Sequence, residues 1–335
     1  MNGNLKGIRT ANKPKITIGL PDHPRCRAII DGKVGVEGYD LAVCPEFYSS
    51  GERHYRFLTG EWDVGECSTA TLWRAIETKQ PFLAIPVFFE RGPRQRNIYH
   101  CEGKLKHPSE LKGKKFGCFR YGATAAVWAR GFLLDAYDLK TTDMQWFVSG
   151  REVYIGNELP VKVERIDPPP PFGKEKLQLS QMLSEGILHG ALVPGDSGYL
   201  GLFGGGETPK MMSAYPGVKP LFDNADEIIS HTKKTGINPI IHILAMKSEI
   251  AEKYPDFPGK LTRAFKDSKA LAKDYMIADE IECYRKEAEV LGEDPYAYTL
   301  GPAERRTLQA LNRYQIEQGL MREELSIDDI VVGSD

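Results

Sequence analysis

The chain lacks any cysteine arrangement that could organise a fold. Its six cysteines (Cys26, Cys44, Cys67, Cys101, Cys118 and Cys283) include no CxxC pair and follow no regular spacing. That excludes a zinc ribbon and a disulfide framework, and the thiols read as small apolar fillers. The seven histidines show no HxH or HExxH spacing, so no metal is expected from motif. Charge is nearly balanced, with a net of −2, so the basic surface of a nucleic-acid-binding body is missing. No apolar run approaches the roughly 20 residues that cross a bilayer. The polar start MNGNLKGIRTANKPK has neither the apolar core nor the cleavage site of a secretory signal, which points to a cytoplasmic protein with no membrane partner. No phosphate loop of the GxxxxGK[ST] type occurs, and GLFGGGETP (201–209) reads as a flexible connection or lid.

What remains is an ordinary globular composition, 41% hydrophobic and 27% charged over 335 residues. The β-branched alternation of KITIGL (15–20) predicts a first strand. Strands are further expected at 39–43, 61–67 and 82–89, with helices at 49–59 and 68–77. Pro86 inside FLAIPVFF implies an edge or a bend. The pattern then restarts: strands at 115–119, 144–148 and 190–193, helices at 124–135 and 177–185, and a proline-rich loop RIDPPPPFG at 165–173. A last strand spans 237–246, and the chain is mostly helical from 247 to 318. Alternating strands and helices predict an α/β fold with largely parallel sheets. The economical arrangement is two lobes with a ligand cleft beyond the carboxyl ends of the strands. Residues 1–97 plus 215–335 would form the first lobe, including the helical C-terminal region, and 98–214 the second.

Four stretches carry a family resemblance: GEWDVGECSTATL (60–72), IPVFFERGPRQRNIYH (85–100), ELKGKKFGCFRYGATAAVWARGFL (110–133) and TGINPIIHI (235–243). DPYAYTL (294–300) and the terminal QGLMREELSIDDI add to them. Together they resemble the 4,5-dihydroxyphthalate decarboxylase family, over nearly the whole chain and in order. The resemblance implies a two-lobed fold similar to type II periplasmic substrate-binding proteins. It also implies a small aromatic carboxylate as partner and a cofactor-independent, non-oxidative decarboxylation. The segments FERGPRQRN and FGCFRYG depart from the family pattern where a substrate would be read, which leaves the particular aromatic acid open. A solute-binding protein of a transporter and another lyase on the same fold stay open beside it.

Such a reaction needs a general acid near the ring carbon that loses CO2, a base near a para hydroxyl, and cations for the retained carboxylate. Arg25, Arg91, Arg94 and Arg120 each follow a strand and are candidate anchors; the alternative is solvated loop arginines. Ser68 and Thr124 open helices, where they either touch ligand or only cap. Tyr121 is a candidate ring-stacking partner or a packed tyrosine. Glu66, among apolar neighbours, is expected to have a raised pKa and to carry a proton, unless an arginine pairs with it. His23, beside Asp22, is a second acid candidate. His242 is a lone imidazole in the apolar run INPIIHILAM: either a satisfied core residue or, as the PxxH of the resemblance implies, a proton handler in the cleft. A homodimer through the helical C-terminal region is a further expectation.

Overall fold

In KITIG the two isoleucines are buried and Lys15 is exposed, as a strand with one covered face requires. This is β1 (Lys15–Gly19) of a computed structural model that describes residues 13–44, 46–154, 156–165, 169–170, 175–193 and 215–334. The polar N-terminal tail to residue 12, the GLFGGGETP loop and most of RIDPPPPFG lie outside the described residues. The remaining strands are β2 (Asp40–Val43), β3 (Val64–Ser68), β4 (Phe82–Arg91), β5 (Ile98–Cys101), β6 (Lys115–Cys118), β7 (Gln145–Val148), β8 (Val163–Arg165), β9 (Gly190–Leu192), β10 (Val218–Pro220) and β11 (Ile240–Lys247). The helices are α1 (Pro24–Ile30), α2 (Ser50–Leu58), α3 (Thr69–Glu77), α4 (Thr124–Tyr137), α5 (Glu175–Ser184) and α6 (Ala225–Thr235). A helical region follows: α7 (Ser248–Lys253), α8 (Phe257–Ala270), α9 (Ala278–Leu291), α10 (Pro302–Glu317) and α11 (Ile327–Ile330).

The strands form two sheets, ordered β2-β1-β3-β11-β4 and β10-β5-β9-β6-β7-β8. The first sheet is mixed. β1 runs parallel to β2 and β3, whereas β11 returns from the second sheet antiparallel to both β3 and β4. β4 is therefore parallel to β3, and the carboxyl ends of β1 to β4 share one edge with the amino end of β11. That edge is where ligands of open α/β sheets bind. β10 carries the second sheet past residue 214, pairing with β5.

Pro86 behaves as its chemistry demands. It lies in the outermost strand, where the register against β11 slips between Ile85 and Phe88. The free side of that strand is covered by the C-terminal segment, where the Val332 amide donates to the Ala84 carbonyl at 2.9 Å.

Polar contacts join the two sheets. The hydroxyls of Ser68 and Thr124 are hydrogen-bonded at 2.7 Å, and Thr124 Oγ1 accepts from the Ala70 amide at 2.9 Å. Arg74, fully buried, donates to Gly122 O at 2.6 Å and to Gln315 Oε1 at 2.8 Å. α10 packs against α4 so closely that Gly131 has no room for a side chain: a Cβ there would lie 2.5 Å from the Tyr314 ring.

Candidate active site

His242 and Glu66 meet because of sheet register. His242 lies opposite Ser68, and Leu244 opposite Glu66, so His242 and Glu66 are diagonal neighbours on one face of the β3–β11 pair. On its other side His242 registers with Glu90 of β4, at a position where the ladder is irregular. Such irregularities re-aim side chains. His242 Nδ1 lies 2.7 Å from Glu66 Oε1 and 3.3 Å from Glu90 Oε2. Carboxylates only accept, so Nδ1 carries the proton and Nε2 is left for other work.

Helix α2 closes the cluster from above. Its sequence SGERHYRFL turns Gly51, Arg53, His54 and Phe57 inward and leaves Glu52 and Arg56 paired at 2.9 Å on the outer face. Arg53 grips Glu66 Oε2 through Nε at 2.6 Å and Nη2 at 2.5 Å, and donates through Nη1 to Tyr48 O. The His54 ring stands edge-on to His242 with centroids 4.6 Å apart, and its Nε2 is 4.0 Å from Glu66 Oε2.

These contacts reverse one expectation. Burial alone would lift the Glu66 carboxyl, but the positive charge of Arg53, followed by His242 and His54, outweighs it and holds the group well below the usual carboxylate range. Glu66 is thus an ionised orienting group, not a stored proton. His23 caps α1, its Nδ1 accepting from the Arg25 amide at 3.2 Å. Burial and then the Arg25 charge push its imidazole well below the ordinary value. It is neutral at pH 7, which suits it to donate a hydrogen bond and not to serve as an imidazolium acid. His54 is likewise pushed down, by burial and then by His242.

A cavity of about 140 Å³ adjoins this cluster, lined by Glu66, Glu90, Arg53, His23, Asp22 and the apolar walls Pro21, Phe47, Tyr48 and Phe89. A cavity near 150 Å³ accepts benzene, so this one is about the size of a single aromatic ring. Its lining comes from the β1, β2, β3 and β4 ends and from the start of α2.

The fold and this geometry can now be set beside known proteins. The chain is 30% identical over 277 residues to a 4,5-dihydroxyphthalate decarboxylase of Comamonas testosteroni, an alignment covering 78% of this chain and 76% of the relative. The chain belongs to the 4,5-dihydroxyphthalate decarboxylase family. A 4,5-dihydroxyphthalate decarboxylase of Pseudomonas putida is also 30% identical, over 196 residues, covering 55% of this chain and 71% of the relative. No protein-family model matches. Among solved structures, the periplasmic aliphatic sulphonate binding protein SsuA from Escherichia coli superposes with a TM-score of 0.57 at 13% identity, covering 96% of this chain and 92% of its own. The desulfurization enzyme DSZB gives 0.54 at 12%, covering 95% and 96%. At such identities these two show the fold alone, which is the expected binding-protein-like architecture.

For this member of the decarboxylase family, the structure brings together His242, Glu66 and His23 of the residues singled out from sequence. It gives most of the others local partners. Arg25 is buried under Tyr296, 3.9 Å from its ring centre, and donates to Tyr298 Oη at 3.2 Å and to Phe89 O. Arg91 pairs with Glu304 of α10 at 3.0 Å. Neither is among the residues that line the cavity. Arg94 pairs with Glu90 and so reaches the cavity wall only through that carboxylate. Arg120, from the loop after β6, reaches across to α2: a Cβ on Gly51 would lie 2.3 Å from its guanidinium. Ser68 and Thr124 hold each other and cap across rather than at home: Thr124 Oγ1 accepts from the Ala70 amide in the first turn of α3, and Ser68 Oγ accepts at 3.4 Å from the Thr124 amide that opens α4, whose own cap position is Ala123. Tyr121 is core, sandwiched between Trp146 (5.2 Å, edge-on) and the Arg130 guanidinium (4.0 Å), so it cannot stack on a ligand.

Sequence reasoning passed over Arg53, His54 and Glu90. The usable signal was in α2: residues 51, 54, 57 and 58 form one helical stripe, and its one polar side chain, His54, faces inward, with Arg53 buried beside it. As a possible metal centre, His54, Glu66 and His242 offer one ligand atom each, all within 4.8 Å of one another.

Proposed function

We propose that the protein is a non-oxidative decarboxylase of a hydroxylated aromatic (di)carboxylic acid of the 4,5-dihydroxyphthalate type. The observation that carries this is the ring-sized cavity walled by Glu66 and Glu90, with His242 hydrogen-bonded behind them. Family membership supports the reaction class.

In this proposal the ring lies between Phe89 and Tyr48. A hydroxyl para to the leaving carboxylate gives its proton to Glu90, which exchanges it with His242. The oxygen electron pair pushes into the ring, and the ipso carbon takes up a proton. The bond to the carboxylate then breaks, its electrons restore aromaticity and return the ring oxygen to phenolate, which takes its proton back from Glu90, and CO2 leaves. One proton is consumed overall. Glu66, held ionised by Arg53, fixes the His242 tautomer and orientation, as the carboxylate of a carboxylate–histidine pair does. His23 donates to the carboxylate that is retained. The substrate itself is the electron sink.

The test is incubation with 4,5-dihydroxyphthalate and a panel of hydroxybenzoates in D2O, following CO2 and product mass. One deuterium at the vacated ring carbon is expected. His242→Asn should retain the fold and lower kcat by roughly 10²-fold or more, the usual share of a general acid–base group. Ligand binding without turnover across the panel sinks the proposal and favours a binding protein.

A further inference from the structure

Each carboxylate at the cavity already has an arginine: Asp22 with Arg27, Glu66 with Arg53, and Glu90 with Arg94. Those acids and guanidiniums pair off, so the charge left to meet an incoming dicarboxylate is that of Arg25 and Arg120, which act on His23 and His54. His54 poses a separate problem. It is 2% exposed, and its Nε2 makes no hydrogen bond among the described residues while lying 4.0 Å from Glu66 Oε2. A buried polar atom without a partner is costly, so a native site normally supplies one.

We propose that His54, Glu66 and His242 bind a divalent first-row transition ion such as Zn2+, Co2+ or Fe2+. Two imidazoles and one carboxylate with open positions are a known donor set for such ions. The ligand atoms lie within 4.8 Å of one another, close enough to converge by small side-chain shifts. His54 Nε2 gains its partner. His242 Nδ1 binds the ion once its proton moves to Nε2, so no proton need leave. Arg53 sits on the other Glu66 oxygen, Oε2, in the place of an outer hydrogen bond that orients a ligating carboxylate. Glu90, 3.3 Å from His242 Nδ1, is within reach as a fourth ligand. The ion adds the two positive charges that match a dianion. Only this last point rests on the decarboxylase proposal; ion binding stands by itself.

The experiment uses untagged protein stripped with a chelator and then titrated with Co2+ and Zn2+, followed by calorimetry and by the visible spectrum of bound Co2+. One ion per chain and a raised thermal midpoint are expected. His54→Phe should weaken binding by at least roughly 100-fold, beyond what loss of an outer-shell group does. If His54→Phe does not fold, His54→Gln takes its place. No stoichiometric binding, or wild-type affinity in the His54 variant, overturns the site. Unchanged decarboxylation by fully stripped protein overturns the ion's part in matching the charge of a dianion, and leaves the decarboxylase proposal intact. Stoichiometric binding with no turnover of any phenolic acid supports the metal site and sinks the decarboxylase proposal instead.

Discussion

Replacing Arg53 with methionine should unfold the logic of the site from its most buried charge. Arg53 and Glu66 have side chains only 6% and 2% exposed, so solvent does little to screen them. Methionine keeps much of the volume but leaves Glu66 without its main counter-charge. Removing one partner of a buried pair typically costs about 3–5 kcal/mol. At roughly 2–4 °C per kcal/mol the thermal midpoint should fall by at least about 6 °C. The pH dependence is more telling than the size. In the wild type the Glu66 carboxyl is held below its unfolded value, so its contribution is complete above about pH 4.3 and is lost only as pH falls through the lower native value. In Arg53→Met, burial prevails and the native carboxyl moves up. Its contribution is then present at low pH and lost as pH rises, so the gap between variant and wild type should widen from pH 4 to pH 8. Adding Glu66→Gln to Arg53→Met should recover part of the loss, giving a coupling of roughly 2–3 kcal/mol in a double-mutant cycle. Unfolding is followed by circular dichroism with chelator present, which keeps metal out of the comparison. A loss under about 1 kcal/mol with an unchanged pH profile would refute the view that Arg53 holds Glu66 ionised.

Thr124→Val removes the hydroxyl that meets Ser68 Oγ at 2.7 Å and the Ala70 amide at 2.9 Å, leaving both buried without it. It should cost about 1–3 kcal/mol and speed amide exchange at Ala70, measurable by hydrogen-exchange mass spectrometry. Gly131→Ala sets a methyl 2.5 Å from the Tyr314 ring and should destabilise by about 1–3 kcal/mol in thermal melts. A neutral result there would mean that α4 and α10 part easily.

Much of the fold was legible because its signals are local. The alternation in KITIG and the uniform apolarity of FLAIPVFF and IIHILAM are set by which faces are covered. The strands β5, β8 and β10 were not legible: VER and VKP are largely polar or carry a proline, and IYHC follows directly on the polar stretch ERGPRQRN. The reversed direction of β11 is likewise a property of chain return, which alternation does not encode. At the site the same division holds. His242 and Glu66 stood out as isolated polar groups in apolar strands. Arg53, His54 and Glu90 did not, since a charged residue on a helix or near a strand end reads as solvated until the facing surface is known.

The arginines show why position relative to a strand end is a weak guide to ligand contact. Arg91 and Arg53 look alike in sequence: each is a guanidinium near the edge where the site forms. Arg91 meets Glu304, more than two hundred residues away, and is spent on docking α10. Arg53 meets Glu66, whose other oxygen holds His242. What separates them is the second partner of the carboxylate. Glu304 has no imidazole hydrogen-bonded to it among the described residues, whereas Glu66 couples a fixed positive charge to a histidine beside a ring-sized cavity. A buried ion pair by itself contributes little to stability and can be replaced by apolar groups. One that also sets the tautomer of a histidine at a cavity has a chemical reason to persist, and that coupling, not the fold shared with binding proteins, is what argues for catalysis here.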